Sequence, residues 1–354
     1  MESFLNQYRI KDQTIAVGVS GGADSLALVL KAKEELTVFG RKIIALTVNH
    51  KLRPSSDDEA QYVNTLMKQN HIEHHILTWD DPKPENGTEE AARKARYSLM
   101  INWCKQHHIQ ALMVAHHRQD QAETFLMRLE RGSGLEGLCS MRPVCLRDGV
   151  RILRPFLNTN PQDLKTYLRR KNIRWVDDES NNETKFLRNR LRRFFPILSK
   201  ETGISASKIV TAVNNLQCAE DFIQSAVETV LNQQVKSPQS DVFHFKYSDF
   251  LTWHKEIKFR IISHLCRRAY IPRADRVLHL IKLLEKLPFK CATLGKKEIV
   301  LFNNEVWILP ENQLKIANAA QKWKAYSEKN PQYQNKKLPH QFRWLLLKEE
   351  ENKK

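Results

Sequence analysis

The sequence predicts an α/β fold in which a doubly wound, mainly parallel Rossmann-like sheet is followed by a smaller, mainly helical domain. Two observations support this prediction. Short apolar runs rich in β-branched residues alternate with amphipathic helical segments in the first half of the chain, the order typical of parallel strands joined by crossover helices. After Asn160 the sequence changes to basic and polar helical segments, which indicates a separate kind of structure.

Five segments have the length and apolar character of buried strands, and helical segments lie between most of them. The strands are predicted over residues 15–20, 41–50, 74–79, 111–117 and 151–156, and the helices over about 25–39, 56–70, 88–107 and 120–131. Ligands of open parallel sheets bind at the carboxyl ends of the strands. Since Ser20, His50 and His116 stand at three such ends, the sequence predicts a functional site along that edge.

The remainder of the chain divides into a helical region and a tail. The sheet domain is predicted over residues 1–200, the helical domain over 205–310 and a charged tail over 311–354. Two short strands, KEIVLFNN and EVWILP, are expected to close the helical domain. A basic helix over RNRLRRFFPIL is predicted to stop at Pro196, because proline lacks an N–H and obstructs the preceding turn.

Charge and composition narrow the class of protein. The net charge is +17 and the pI is about 9.6, values that favour a polyanionic partner such as a nucleic acid. None of the six cysteines forms a Cys-x-x-Cys pair, so reduced thiols are expected rather than a zinc knuckle or a redox dithiol. The sequence shows neither a signal peptide nor an apolar run of about 18 residues, and the expected location is cytoplasmic, away from membranes.

The segment SGGADS, between the first strand and the first helix, has the features of a phosphate-binding loop. Two glycines allow a tight turn and close approach of the ligand, and the N–H groups of the helix start can bind phosphate oxygens. A carboxylate beside phosphates would repel them unless it holds Mg²⁺, which is the role predicted for Asp24. We therefore predict that the loop binds ATP through its six residues, Ser20, Gly21, Gly22, Ala23, Asp24 and Ser25.

This loop resembles the SGGxDS signature of the PP-loop ATP pyrophosphatases, which cleave ATP between the α and β phosphates. Three further segments, LTVNHKLR, AHHRQDQAETFLMRLERGSGLEGLCSM and WVDDESNNETKFLRNRLRRFFPIL, occur in the same order as in the tRNA(Ile)-lysidine synthetase family. The resemblance is dense over about residues 14–200 and weaker over 205–310. It implies a catalytic PP-loop domain, a tRNA-recognition domain, and a family C-terminal domain that is shortened or missing here.

The resemblance also implies a reaction. ATP adenylates C2 of the wobble cytidine of a tRNA(Ile) with a CAU anticodon, and the ε-amine of free L-lysine then displaces AMP to give lysidine. Mg²⁺ is the implied cofactor, held by Asp24. The oligomeric state stays open, with a homodimer among the alternatives.

Two acids at helical spacing fit the lysine step. Asp120 and Glu123, at positions i and i+3, lie on one side of a helix, and either could bind the cationic side chain or accept its proton. With Asp24 they are the predicted catalytic residues. The family usually has an acid where this sequence has Gln119, so the main role is assigned to Asp120.

The remaining candidates could contact ATP or tRNA, and each has a structural alternative. Arginine can bind phosphates or base edges bidentately, but a basic helix can also be merely solvated. The RGSG segment at 131–134 is either a wall near the RNA or a helix C-cap. His50 and His116 are assigned to the nucleotide, with a structural role as the alternative. The predicted tRNA or phosphate contacts are Arg93, Arg96, Arg188, Asn189 and Arg192.

Three other functions remain as alternatives. A tRNA thiolase of the same superfamily would need a cysteine pair or a catalytic cysteine, and a glutamine-fed amidotransferase would need a glutaminase domain. A non-catalytic RNA-binding protein with an inactive nucleotide fold would have no need of Asp24, Asp120 and Glu123, all of which are present.

Overall fold

The computed structural model describes residues 1–51, 56–80, 88–176, 187–267, 272–311, 318–334 and 336–352. They form two compact units, residues 1–220 and 221–354. The first unit contains, in chain order, α1 (Glu2–Gln7), β1 (Thr14–Gly18), α2 (Ala23–Leu36), β2 (Lys42–Asn49), α3 (Ser56–Gln69), β3 (Glu73–Thr78), α4 (Thr88–Gln106), β4 (Ala111–Met113), α5 (Arg118–Glu130), α6 (Leu135–Leu138), β5 (Val144–Arg147), β6 (Val150–Leu153), α7 (Pro161–Arg170), α8 (Leu187–Thr202) and the first part of α9 (Ala206–Gln234).

The strands of the first unit form one sheet in the order β3-β2-β1-β4-β6-β5. All neighbouring pairs are parallel except the hairpin of β5 and β6. From β1 the chain builds β2 and β3 on one side and then places β4 on the other, so the strand order reverses between β1 and β4. Loops that follow two such strands diverge and leave a crevice at the carboxyl edge. The predicted fold class and the five predicted strands are confirmed.

Alternating side chains of β1 explain why helices cover both faces of the sheet. Ile15 and Val17 point to one face, where they pack in the same core as α2 and α7. Ala16 points to the opposite face and joins a second core built largely on α4. Because a strand alternates its side chains between two faces, a strand that is apolar throughout must be covered on both.

The first unit extends further than the predicted boundary near residues 200–205. Phe195 of α8 and Ile209 and Val213 of α9 pack in one buried cluster with Ala122 of α5, so the chain stays with this unit as far as Glu220. The predicted end of α8 at Pro196 is wrong, since the helix continues to Thr202 with the proline inside it. Burial of Phe195 on the same turn offsets the loss of one backbone hydrogen bond.

The second unit combines helices with an antiparallel sheet. Its elements are the rest of α9, β7 (Lys236–Gln239), β8 (Val242–Lys246), α10 (Tyr247–Thr252), α11 (Lys255–Leu265), α12 (Ala274–Leu284), β9 (Cys291–Leu294), β10 (Lys297–Phe302), β11 (Glu305–Pro310), α13 (Ala319–Lys329) and α14 (His340–Asn352). The strand order is β7-β8-β11-β10-β9. The two predicted strands are present as β10 and β11. The other three are too short for their sequence alternation to stand out.

The predicted charged tail contains an apolar patch at residues 342–347, which belongs to α14. Phe342 and Leu346 are buried against β-strand residues of the second unit, including Trp307 and Leu309. The rings of Phe342 and Trp307 lie 5.3 Å apart between centroids. In the part of the chain that the structure describes, no helix is long and apolar enough to cross a membrane.

We expect Phe342→Ala to lower the free energy of unfolding of the second unit by about 3–5 kcal/mol, because it removes a buried aromatic ring and leaves a cavity. Chemical denaturation followed by tryptophan fluorescence measures the change. The matched control is Phe222→Ala on α9, whose ring is 76% exposed and whose loss should change stability by less than about 0.5 kcal/mol. Equal stability of Phe342→Ala and the wild type would contradict the packing of α14.

Candidate active site

The loop between β1 and α2 is fixed by a glycine and two serines. Gly21 has a φ of +83°, and a Cβ atom there would lie 3.3 Å from Val63 Cγ2. The backbone N–H of Ser20 donates to Ser25 Oγ at 3.0 Å, and that hydroxyl donates to the Gly22 carbonyl at 2.9 Å. Gly22 is the N-cap of α2 and has no side chain to cap the first turn. The first turn of α2 is therefore suited to bind an anionic ligand.

His117 connects this loop to the start of α5. It is the N-cap of α5, where its Nδ1 accepts from the N–H of Asp120 and its own N–H donates to Asp120 Oδ2 at 3.0 Å. Its Nε2 lies 3.5 Å from Asp24 Oδ2. Burial alone would lower the pKa of His117, but the hydrogen bond to Asp24 and the charge of Asp120 raise it overall. One imidazole thus joins the carboxylate after β1 to the carboxylate after β4.

Two acids of α5 meet two arginines of α8. Glu123 has a fully buried side chain (0% exposed), and Arg192 Nε donates to its Oε1 at 2.8 Å. The same guanidinium donates to Asp120 Oδ1 at 3.2 Å, and Arg188 Nε lies 3.3 Å from Glu123 Oε2. Burial raises the pKa of Glu123, although the charge of Arg192 opposes the shift. For Asp120, burial acts upward as well, but the charges of His117, His116 and Arg188 and the backbone hydrogen bond from His117 together lower the pKa.

His116, next to His117, has the opposite electrostatic character. Burial lowers its pKa to about 3, against the charge of Asp120 and together with the positive charges of Arg154, Arg93 and Arg96. It is therefore neutral at physiological pH. The two predicted arginines of α4 and Arg154 thus act on the same imidazole, which gives this side of the crevice an excess of positive charge.

The structure brings most of the predicted site residues together. The phosphate loop, His116, Asp120 and Glu123 lie at the crevice between β1 and β4. Arg188 and Arg192, predicted to contact tRNA or phosphate, contact the two acids in this structure. Asn189, beside Arg188 on α8, is buried, and His50 packs edge-on against Trp79 with ring centroids 5.7 Å apart.

The RGSG segment has the geometry of a helix C-cap. Gly132 has a φ of +63°, and the N–H of Ser133 donates to the Arg128 carbonyl at 3.0 Å. These features end α5 in the left-handed conformation that glycine favours. They support the structural alternative for this segment.

Gln119 faces a cleft beside the acids. The cleft has a volume of about 510 Å³. Arg118, Arg192 and the starts of α7 and α9 also line it. The position where the family usually has an acid therefore points into a space next to Arg192.

Two residues of the site, His117 and Arg154, lay outside the sequence prediction. His117 precedes Asp120 by three residues, the spacing of an N-cap and its partner, and this spacing was the available signal. Arg154 follows β6 at the functional edge, where its guanidinium donates to the Arg142 carbonyl at 2.9 Å. No sequence pattern distinguishes it from the neighbouring arginines.

Comparison with known proteins agrees with this geometry. Residues 1–198 match the family model of the PP-loop domain. A tRNA(Ile)-lysidine synthase of Wolbachia pipientis is 31% identical, over 88% of this chain and 74% of the relative. One from Hyphomonas neptunium is 32% identical, over 86% of this chain and 83% of the relative.

A solved structure supports the fold alone. A U34-tRNA thiolase from Methanococcus maripaludis superposes with a TM-score of 0.50 over 61% of this chain and 80% of the thiolase, at 18% identity. The likeness is one of architecture.

The link between Asp24 and His117 makes a measurable prediction. In NMR titrations of the ligand-free protein, Asp24→Asn should lower the pKa of His117, because it removes a carboxylate that favours the imidazolium. In the wild type the pKa of His117 should lie above the usual value for a histidine. Since the folded-state pKa is the higher one, this contribution to stability is complete below the unfolded-state pKa and is lost as the pH rises through the folded-state value.

His74 is the internal control for this titration. Burial, together with the charge of His75, lowers its pKa to about 4, and it lies on β3, which β2 separates from β1 and the loop that carries Asp24. Its signal should be the same in both proteins. An unshifted His117 in Asp24→Asn would contradict the electrostatic link.

Proposed function

Since the chain belongs to the PP-loop family of tRNA(Ile)-lysidine synthases, we propose that it ligates lysine to C2 of the wobble cytidine of a tRNA(Ile) with a CAU anticodon, with ATP as the energy source. It is an ATP-dependent carbon–nitrogen ligase. One observation carries the assignment of the site: His117 Nε2 lies 3.5 Å from Asp24 and its Nδ1 3.5 Å from Asp120. A subsite for phosphates and a subsite for a cation are thereby adjacent.

The loop after β1 is proposed to hold the ATP phosphates. The amide groups at the start of α2 would bind phosphate oxygens, and Ser20 and Ser25 would add hydroxyls. Asp24 fits a role in binding Mg²⁺, because its buried Oδ1 accepts no hydrogen bond from the residues that the structure describes. Mg²⁺ typically uses one or two carboxylates and completes its coordination with phosphate oxygens and water. When bound, it would neutralise charge on the phosphates.

The crevice is proposed to bring the cytidine to the α phosphate. The O2 atom of the base attacks the α phosphorus, pyrophosphate leaves, and C2 is activated by the bound AMP. Arg93, Arg96 and Arg154 would stabilise the negative charge of the phosphates. Neutral His116 can donate or accept a hydrogen bond there without adding charge.

Asp120 and Glu123 are proposed to bind the lysine side chain and accept its proton. The ammonium of free lysine has a pKa of about 10.4, so a base must remove a proton before the nitrogen attacks C2 and AMP leaves. Asp120, whose pKa is lowered, suits the anionic partner of the ammonium. Glu123, whose pKa burial raises, suits the proton acceptor. In the structure, Arg188 and Arg192 neutralise the negative charge of these acids. The ammonium of a bound lysine would supply part of that positive charge instead.

The thiolase alternative has less support. Cys104 and Cys266 are buried, and burial raises the pKa of each thiol to about 12, so neither is a ready nucleophile. The six cysteines are all within the described residues, which contain no cluster of three or more potential metal ligands. A tRNA partner and a cytoplasmic location complete the proposal, with the region after about residue 205 taking part in tRNA recognition.

Replacing either acid by its amide tests the assignment. Asp24→Asn and Asp120→Asn should each reduce incorporation of labelled lysine into a tRNA(Ile) transcript by at least about 100-fold, the scale of a lost catalytic group. Binding of the tRNA itself, measured by filter retention, should be unchanged. The matched control is Asp163→Asn, an exposed acid in the first turn of α7, which should retain full activity.

Two results would overturn different parts of the proposal. A folded wild-type protein that incorporates no lysine would refute the reaction. Full activity of both amide variants, with an active wild type, would leave the reaction standing and refute the site.

A further inference from the structure

The outer face of α8, which we define by Arg190, Arg193, Phe194 and Ile197, has no role in the reaction above. These positions follow the spacing i, i+3, i+4 and i+7, so they form one stripe of the helix. Phe194 is 50% exposed and Ile197 is 57% exposed. The side chains of Arg190 and Arg193 are exposed as well. Two exposed apolar side chains thus lie on the same stripe as two arginines, which precede them along the helix.

The opposite face of α8 packs against the rest of the first unit. Arg188 and Arg192 contact Glu123 and Asp120, and Phe195 is buried in the cluster with α5 and α9. The helix therefore has one face that completes the acid cluster and one that faces solvent. A ligand of the outer face is separated from the acids by the width of the helix, about 10–12 Å.

The chemistry of the outer face favours unpaired nucleotides over other partners. Guanidinium groups bind phosphates, and an exposed aromatic ring stacks on a base whatever its sequence. Protein interfaces are also enriched in aromatic residues and arginine, so charge has to discriminate, and the four positions hold two arginines and no acid. The net charge of +17 further favours a polyanion.

We propose that the outer face of α8 binds single-stranded nucleotides of the tRNA a few positions away from the cytidine that is modified. Phe194 stacks on an unpaired base, and Arg190 and Arg193 contact the flanking phosphates. The four positions span about 10 Å of helix, the scale of one stacked base with its phosphates. The identity of the RNA rests on the proposed function, whereas the binding surface rests on exposure and charge.

The test is the affinity of the whole protein for an anticodon stem-loop RNA with a CAU anticodon, measured over a range of salt concentrations without ATP or lysine. Phe194→Leu should weaken binding about 10-fold with an unchanged salt dependence, and Phe194→Tyr should restore it, because stacking requires an aromatic ring. The double variant Arg190→Ala/Arg193→Ala should weaken binding and lower the slope of log K against log salt by about 1.4, the value for two single-strand phosphate contacts.

Two exposed residues of the same unit serve as matched controls. Phe39→Ala removes an exposed ring, and Lys68→Ala removes an exposed charge on α3. Both should bind the stem-loop like the wild type. Since Phe194 is half exposed, its variants should keep the wild-type melting temperature, so weakened binding would not reflect unfolding.

Three outcomes separate this inference from the function it rests on. Wild-type affinity of both Phe194→Leu and the double arginine variant would overturn the RNA surface and leave lysine ligation untouched. If Phe194→Leu instead dissociates a dimer in light scattering and retains RNA affinity, the outer face is an interface between copies and the proposal is wrong. A wild type that binds the stem-loop through Phe194 but transfers no lysine would refute the reaction and support the surface.

Discussion

A fully buried carboxylate, Glu123, constrains the arrangement of the helices around the site. An ionised acid removed from water is costly unless other charges compensate it. The compensation comes from Arg188 and Arg192, which are distant in sequence, so α8 must lie against α5 for this unit to be stable. The apolar cluster around Phe195 forms along the same contact. The ion pairs hold α8 in the first unit, and the apolar cluster holds the start of α9 there.

The fold of the first unit was predictable because its strands are buried on both faces and therefore appear as continuous apolar runs. The phosphate loop was predictable because glycine and serine occur there at a fixed spacing. Contacts between segments that are distant in sequence could not be predicted. Nothing in RNRLRRFFPIL tells which arginines face the acids, because that depends on how α8 is rotated against α5. The short strands β7, β8 and β9 were missed because their stability comes from pairing in a sheet and not from local pattern.

Two consecutive histidines, His116 and His117, lie in different electrostatic environments. The carboxylates of Asp24 and Asp120 raise the pKa of His117 against the effect of burial, whereas burial, reinforced by the charges of three arginines, keeps His116 neutral. The crevice thus has an acidic and a basic side within one residue of each other. A reaction that joins a cationic nucleophile to a phosphate-activated base requires both kinds of surroundings at short distance. The family relationship and the site are consistent in this respect.

The acids at the centre are enclosed by a molecule with a large positive charge, and this has a consequence for the order of encounter. The outer field attracts a polyanion from a distance, while it repels a free cation such as lysine until that cation reaches the enclosed acids. Added salt screens both effects beyond about 8–10 Å. Capture of the tRNA should slow as the ionic strength rises, while entry of lysine becomes easier. The substrate that binds first would therefore differ between dilute and concentrated salt.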